Sequence, residues 1–435
     1  MHALNTTIKR LKSIRLSILR ALSAGRRKKL ESVRFIAITG SAGKTMTKEL
    51  TASILAHFGR CRKTVASYNM TTDVMFAVLH TRAAHHYCVA EIGAYGPGTM
   101  DIPVSVFQPH IAVLTLIGTD HISAYKSRDK LIAEKEKLIR SLPSDGVAVL
   151  NIDDPEVKAI GKRCHCRVVW FGRHPDAALR LLDAQSQWPD PLILSLSFEN
   201  KTFSARTQLH GEHTATAVMA SLGVALAVGL PLERALEAVA QATPYEGRMQ
   251  PVESIGGVTF IRDDIKAPYW SLPAAFAFIK DANASRKVVL IGSVSDSSKD
   301  DTKKYKKICR EARAAADLVI VVGPSAHRAL RARKDENDSS VQGFPSVCEA
   351  AAYLQKELKE GDLVLIKGSN RADHLGRLIL NRNRPIQCWE DKCALDIFCD
   401  SCPRLYTRSR WISLFTPLML RRRPRDQEVQ ARKNP

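Results

Sequence analysis

Short apolar runs alternate with longer stretches of helical spacing through most of this 435-residue chain. From Arg34 the sequence turns to Phe-Ile-Ala-Ile-Thr, passes through a glycine turn, and continues into a helix-length stretch from Met46 to His57. That is the pattern of a strand, a loop and a helix. Further runs recur at Tyr87 to Ile92, Ile111 to Leu116, Val147 to Leu150 and Val168 to Phe171, and Ser127 to Ser141 has helical length between two of them. Alternation of this kind predicts an α/β fold with a mostly parallel sheet.

Around Gly247 and Arg248 the alternation pauses. It restarts with Val258 to Ile261, Lys287 to Ile291, Leu318 to Val322 and Leu363 to Ile366, separated by helix-like stretches such as Pro273 to Lys280 and Lys303 to Ala315. The second set predicts a smaller, Rossmann-like C-terminal α/β domain. The expected division is a basic amphipathic segment (1–34), a central domain (35–248), a C-terminal domain (249–384), and a four-cysteine cluster with a basic tail (385–435).

Composition changes this picture little, because 45% hydrophobic residues suffice for packed layers without disulfides. Charge changes it more. The chain carries a formal +21, and both ends concentrate it: residues 1–34 hold ten basic side chains against Glu31, and the segment from Pro403 holds nine against Asp426 and Glu428. Between them lies an ordinary enzyme-like body of about +5, which does not favour nucleic acid as the partner. No apolar run approaches the roughly 18 to 20 residues of a membrane-spanning helix. The apolar residues near the start are interrupted by Lys and Arg, unlike a secretory leader. Cytoplasm is the expected compartment, where the ten cysteines stay reduced or bind metal.

On a helical wheel Leu4, Ile8, Leu11, Ile14, Ile18, Leu19 and Leu22 share one side, with Lys9, Arg10, Lys12 and Arg20 mostly opposite. Two readings stay open for this helix: it lies on an anionic bilayer at the inner membrane face, or it docks on the protein's own body or a partner. The tail from Trp411 to Leu420, followed by Arg421-Arg422-Arg423, repeats the theme. Cys388, Cys393, Cys399 and Cys402 form a compact set whose terminal C-x-x-C suits structural Zn²⁺, with a redox pair or free thiols as the alternatives.

The chemistry sits in the loop after the first strand, Thr39-Gly40-Ser41-Ala42-Gly43-Lys44-Thr45. Glycines let backbone N–H groups approach a triphosphate, and the following helix N-terminus adds positive potential. Lys44 can reach the β- and γ-phosphates of ATP and the Thr45 hydroxyl can ligate Mg²⁺. Ile38 stands where the common eight-residue form of this P-loop has its first glycine.

The shortened form T-G-x-x-G-K-[ST] resembles the loop of the Mur ligase family, and other positions fit the same resemblance over roughly residues 35 to 380. Glu91, in Val89-Ala90-Glu91-Ile92-Gly93, resembles the family's Mg²⁺-binding Glu; His121, in Thr119-Asp120-His121, resembles its metal-site His. Lys135 matches the lysine that the family carbamylates to make a ligand for a second Mg²⁺. Arg248 resembles the arginine that closes the ATPase domain and touches the γ-phosphate, and His213 the central His of a Gly-x-His segment. The resemblance implies a P-loop central ATPase domain and a ligase that joins a carboxylate to an amine through an acyl phosphate, on small-molecule or polymer-precursor substrates.

Departures qualify it. Thr214 replaces the Asn that contacts adenine, and the C-terminal segment Arg262 to Trp270 keeps the acidic pair Asp263 and Asp264 while losing the family's Asn pair and adding Lys266. The family places a uridine-diphosphate-sugar domain first, and 34 residues are too few to build one, which implies a different acceptor or one presented on a membrane. Three functions therefore compete: an amide-forming ligase, favoured by the retained phosphate and magnesium residues, a weakened nucleotide-binding scaffold, and a nucleic-acid-stimulated NTPase.

Overall fold

The computed structural model describes residues 2–295, 301–391, 393, 395, 397–407 and 428–429. The tail residues Trp411 to Arg423 lie outside them. A long helix, α1 (His2–Lys28), precedes strand β1 (Arg34–Thr39) and helix α2 (Lys44–Ala56). Then follow β2 (Cys61–Lys63), α3 (Thr71–His80), β3 (Tyr87–Glu91), α4 (Asp101–Phe107), β4 (Ile111–Leu114), α5 (Ile122–Tyr125), α6 (Arg128–Arg140), β5 (Val147–Asn151), α7 (Pro155–Lys162) and β6 (Arg167–Gly172). Three further strands, β7 (Leu179–Gln185), β8 (Ile193–Phe198) and β9 (Lys201–Arg206), lead to α8 (Ala215–Ala227) and α9 (Leu232–Gln241).

The strand order is β16-β2-β3-β1-β4-β5-β6-β7-β8-β9, where β16 is the short Glu428–Val429 strand. Pairing is parallel from β2 to β7 and antiparallel from β7 to β9. Burial on both faces explains why β1 reads as a continuous apolar run. Ile36 and Ile38 enter one core with α2, α8 and α9, whereas Phe35 and Ala37 enter the opposite core with α3, α4, α6 and α7.

The antiparallel strands β7–β9 have no counterpart among the apolar runs of the sequence. Their residues alternate between buried and exposed, as in Leu194 and Leu196 against their neighbours, so no solid apolar run marks them.

The second sheet runs β10 (Gln250–Ser254), β11 (Val258–Asp263), β15 (Asp362–Lys367), β12 (Arg286–Ile291), β13 (Leu318–Val322) and β14 (Val341–Phe344), parallel except for β10. In the first sheet the chain turns back at β1, with β3 on one side and β4 on the other. Ligand sites of open parallel sheets lie at such reversals, outside the carboxyl ends of the strands. The loop 40–43 occupies that position.

Candidate active site

Gly43 caps α2 in the left-handed region at φ 75°, and Gly40 has φ 144°. A Cβ on Gly40 would stand 2.0 Å from Thr115 Oγ1, so the residue that follows β4 presses directly on the loop. Lys44 Nζ donates to Gly40 O at 2.8 Å, folding over the loop it follows. Thr115 Oγ1 donates to Ala42 O at 2.6 Å, and Thr39 Oγ1 to Ile92 O at 2.9 Å. The Thr39 hydroxyl is thus committed to the neighbouring chain segment.

Two acidic centres flank the loop. At the end of β3, Glu91 accepts from Thr45 Oγ1 at 2.8 Å on one oxygen and from Asn69 Nδ2 at 2.7 Å on the other. Beyond β4, Asp120 accepts from Ser41 Oγ on one oxygen and from Lys135 Nζ at 3.2 Å on the other. Both Asp120 and Lys135 are buried. Burial alone would raise the Asp120 carboxyl, but Lys135 and Lys44 outweigh it and hold it below its ordinary value. Lys135 is pushed down to about 8, chiefly by burial, with Asp120 opposing.

Sequence reasoning singles out His121 and passes over its neighbour Asp120, which is the residue that meets the loop. His121 itself has φ 53° and places Nε2 3.5 Å from Lys266 Nζ, which comes from beyond β11. Other elements of the second sheet approach as well. A Cβ on Gly118 would lie 3.6 Å from Trp270 Cε2 and 3.3 Å from Ser41 Cβ, so the indole sits beside the loop.

Asp263, at the end of β11, pairs with Lys367 at the end of β15, and Arg248 Nη1 lies 4.0 Å from its other oxygen. His213 lies near this pair. Surrounding protein holds its imidazole below its ordinary range, opposed by Asp263 and assisted by Lys367.

Asp264 and Thr214 are each engaged locally. Asp264 points away from Asp263: it is fully buried, 3.5 Å from Arg262 Nη2, and its Oδ1 would lie 2.9 Å from a Cβ on Gly247. It therefore braces the segment before Arg248 rather than joining the phosphate-loop cluster. Thr214 Oγ1 donates to Gly211 O at 2.7 Å, so this hydroxyl closes its own turn.

Zinc at the four cysteines is not shown. Cys388, Cys393, Cys399 and Cys402 are half-buried free thiols, and Cys399 Sγ lies 3.6 Å from His374 Nδ1. Among the described residues, however, no three His, Cys, Asp or Glu groups are arranged to hold a metal ion. The segment is tied down by polar contacts, including Arg377 to Cys388 O at 3.3 Å and to Glu390 O at 3.1 Å, and Arg262 to Asp400 Oδ1 at 3.0 Å. Burial, more than the neighbouring thiols, pushes the Cys399 thiol up to about 12.

A phosphate-type loop at a sheet reversal, faced by basic and acidic side chains from a second parallel sheet, defines a two-domain nucleotide-dependent enzyme. The family model described as Mur ligase middle domain matches residues 38–225, and the one described as Mur ligase, glutamate ligase domain matches residues 247–370. The chain belongs to the Mur ligase family of ATP-dependent, amide-forming ligases.

The UDP-N-acetylmuramoyl-tripeptide--D-alanyl-D-alanine ligase of Mycobacterium tuberculosis (strain ATCC 25618 / H37Rv) is 29% identical over 367 residues, covering 78% of this chain and 70% of the relative. MurF from Acinetobacter baumannii superposes with a TM-score of 0.77 at 26% identity, over 84% of this chain and 80% of that one. The MurF ligase from Thermotoga maritima in complex with ADP shares the fold, with a TM-score of 0.74 at 20% identity over 85% of this chain and 84% of that one.

Proposed function

We propose that this ligase joins a peptide carboxylate to the amine of an amino acid or short peptide during assembly of a cell-wall precursor. Its relatives' names give UDP-N-acetylmuramoyl-tripeptide and D-alanyl-D-alanine as their substrates, and compounds of that class are the first to test. In this reading residues 35–248 form the ATPase domain and 249–384 the domain that closes over it. One observation carries the proposal: the loop with Lys44 is flanked by Thr45–Glu91 and Asp120–Lys135, while from beyond β11 Lys266 reaches His121 and Trp270 stands beside Ser41.

In the first step a carboxylate oxygen of the acceptor attacks the γ-phosphorus of ATP, the bond to ADP breaks, and an acyl phosphate forms. In the second, the amine nitrogen attacks the acyl carbon, inorganic phosphate leaves, and the nitrogen loses a proton. Loop N–H groups and Lys44 hold the β- and γ-phosphates, and Arg248, tethered by Asp263, brings a second positive charge to the transferring group.

The Thr45 hydroxyl and Glu91 carboxylate fit Mg²⁺, which takes one or two protein oxygens and keeps water and phosphate oxygens for the rest. When bound it would neutralise phosphate charge. Lys135 and His121 stand where the family resemblance puts a second metal site, and Lys135 would serve there as its carbamate.

The test is ADP release measured with muramoyl peptides and amino acids or dipeptides, singly and together. Release only when carboxylate and amine are both present supports the proposal. ATP binding with no release across the panel would instead identify a nucleotide-binding scaffold.

A further inference from the structure

Helix α1 has two different faces. Leu16 and Leu19 pack on the core beneath α3 and α4, and Ser23 donates to Met75 O at 3.4 Å. Arg26 reaches Thr81 O at 2.8 Å, and Arg27 donates to Phe107 O at 2.9 Å while its guanidinium lies 4.1 Å over the Phe35 ring. These contacts fix the helix on the body. The opposite face carries Ile14, Ile18 and Leu22, which are 50%, 56% and 59% exposed. At about 100° per residue, this i, i+4, i+8 series falls within an arc of about 80°.

Exposed Arg10 and Lys28 border the stripe on one side and exposed Arg15 on the other, with Arg20 further round. No acidic residue occurs before Glu31. An apolar ridge between cationic borders, on a helix already anchored to a folded body, complements a surface that is apolar below and anionic above. A nucleic-acid backbone would satisfy the arginines but offer nothing to Ile14, Ile18 and Leu22.

We infer that this face of α1 docks the enzyme on an anionic lipid bilayer, with the aliphatic side chains entering the headgroup boundary and the arginines meeting lipid phosphates. The helix runs in the same sense as α3, since Ser23 meets Met75 and Arg26 meets Thr81. Its N-terminal end therefore leads toward the start of α3 at Thr71, next to Asn69 and Glu91. Docking along this face brings the catalytic end of the sheet near the lipid surface, where a lipid-borne or locally concentrated acceptor would be met.

The full chain is sedimented with vesicles of equal parts phosphatidylglycerol and phosphatidylcholine, and with vesicles of phosphatidylcholine alone. Partition onto the anionic vesicles is expected to exceed that onto neutral ones at least about tenfold and to weaken with added salt. Ile18→Asp should lower it about tenfold or more, while thermal midpoint and ADP release without lipid stay unchanged. The paired variant Arg10→Glu/Arg15→Glu should act in the same direction. Equal binding of native and Ile18→Asp chains, no preference for anionic vesicles, or a native dimer that Ile18→Asp dissociates would overturn the inference. None of these outcomes depends on the ligase substrates being correctly chosen.

Discussion

Lys135 Nζ stands 3.2 Å from Asp120 Oδ2 with both side chains almost wholly buried, and the second oxygen of the same carboxylate takes the Ser41 hydroxyl. This pair fastens helix α6 to the phosphate-type loop. Lys135→Met leaves Asp120 buried without its cation, and a loss of about 3–5 kcal/mol is expected from chemical denaturation. Adding Asp120→Asn should recover part of it, because the stranded charge is then removed. A single-variant loss below about 1 kcal/mol would show that the pair does not carry the loop.

Lys135 also makes a pH prediction. Its ammonium deprotonates near 8, mainly because it is buried, so the neutral amine that can react with CO₂ grows between pH 7 and 9. With dissolved ¹³CO₂ held constant, a protein carbamate resonance should strengthen over that range and be missing from Lys135→Arg. That variant keeps the positive charge but cannot form the carbamate, and its kcat should fall by about a hundredfold or more. A variant as active as the native chain would exclude carbamylation from the reaction.

The contribution of Glu246 and Asp373 to stability should decline from pH 5 to pH 8. Burial raises the Glu246 carboxyl to about 7, with Asp400 nearby as the next cause, and burial raises Asp373 to about 7 against the Ser293 and Ser369 N–H groups. A carboxyl raised on folding contributes stability that is complete below its unfolded value and is lost as pH rises through its folded value. Half-buried His110, held down to about 4 chiefly by burial, acts in the opposite sense below pH 6.5, so the carboxyl contribution is read as a difference: the thermal midpoint of the native chain minus that of Glu246→Gln/Asp373→Asn should fall as pH rises across this window. An unchanged slope in the double variant contradicts the assignment.

Two glycines separate loop geometry from general helix effects. Gly40→Ala puts a methyl group 2.0 Å from Thr115 Oγ1 at a φ of 144°, so ATP affinity measured by calorimetry should fall by about a hundredfold or more. A methyl group at Gly25, in α1, would meet nothing within 4 Å, and Gly25→Ala should be neutral or stabilising by about 0.5–1 kcal/mol. Equal effects at both sites would mean that the contact with Thr115 is not what demands glycine.

Much of this architecture is legible along the chain because β1, β3, β4 and β5 are buried on both faces and so read as unbroken apolar runs. The β7–β9 strands are not, since one-sided burial spreads their apolar residues among polar ones. At the site, the loop and Glu91 are visible as motifs. Asp120 is hidden by its neighbours: Thr119-Asp120-His121 offers three polar side chains, and only the packing of α6 decides that Asp120 faces Lys135. Lys367 lies far along the chain from Asp263, and parallel pairing of β11 with β15 brings them together. The cysteine spacing suggests a metal knuckle, whereas the contacts of Arg377, Asp400 and the backbone that hold this segment leave no mark in the sequence.

Transfer of oxygen from the acceptor carboxylate to phosphate tests the ligase chemistry most directly. The native enzyme is incubated with ATP, an amine and a muramoyl peptide whose terminal carboxylate carries ¹⁸O at both oxygens, and the inorganic phosphate is examined by mass spectrometry, with Lys44→Ala alongside. One labelled oxygen in each phosphate released, and phosphate formation reduced about a thousandfold or more in Lys44→Ala, is the predicted result. Unlabelled phosphate formed together with amide product, or a Lys44→Ala variant that turns over ATP at the native rate, would contradict acyl-phosphate chemistry at this loop.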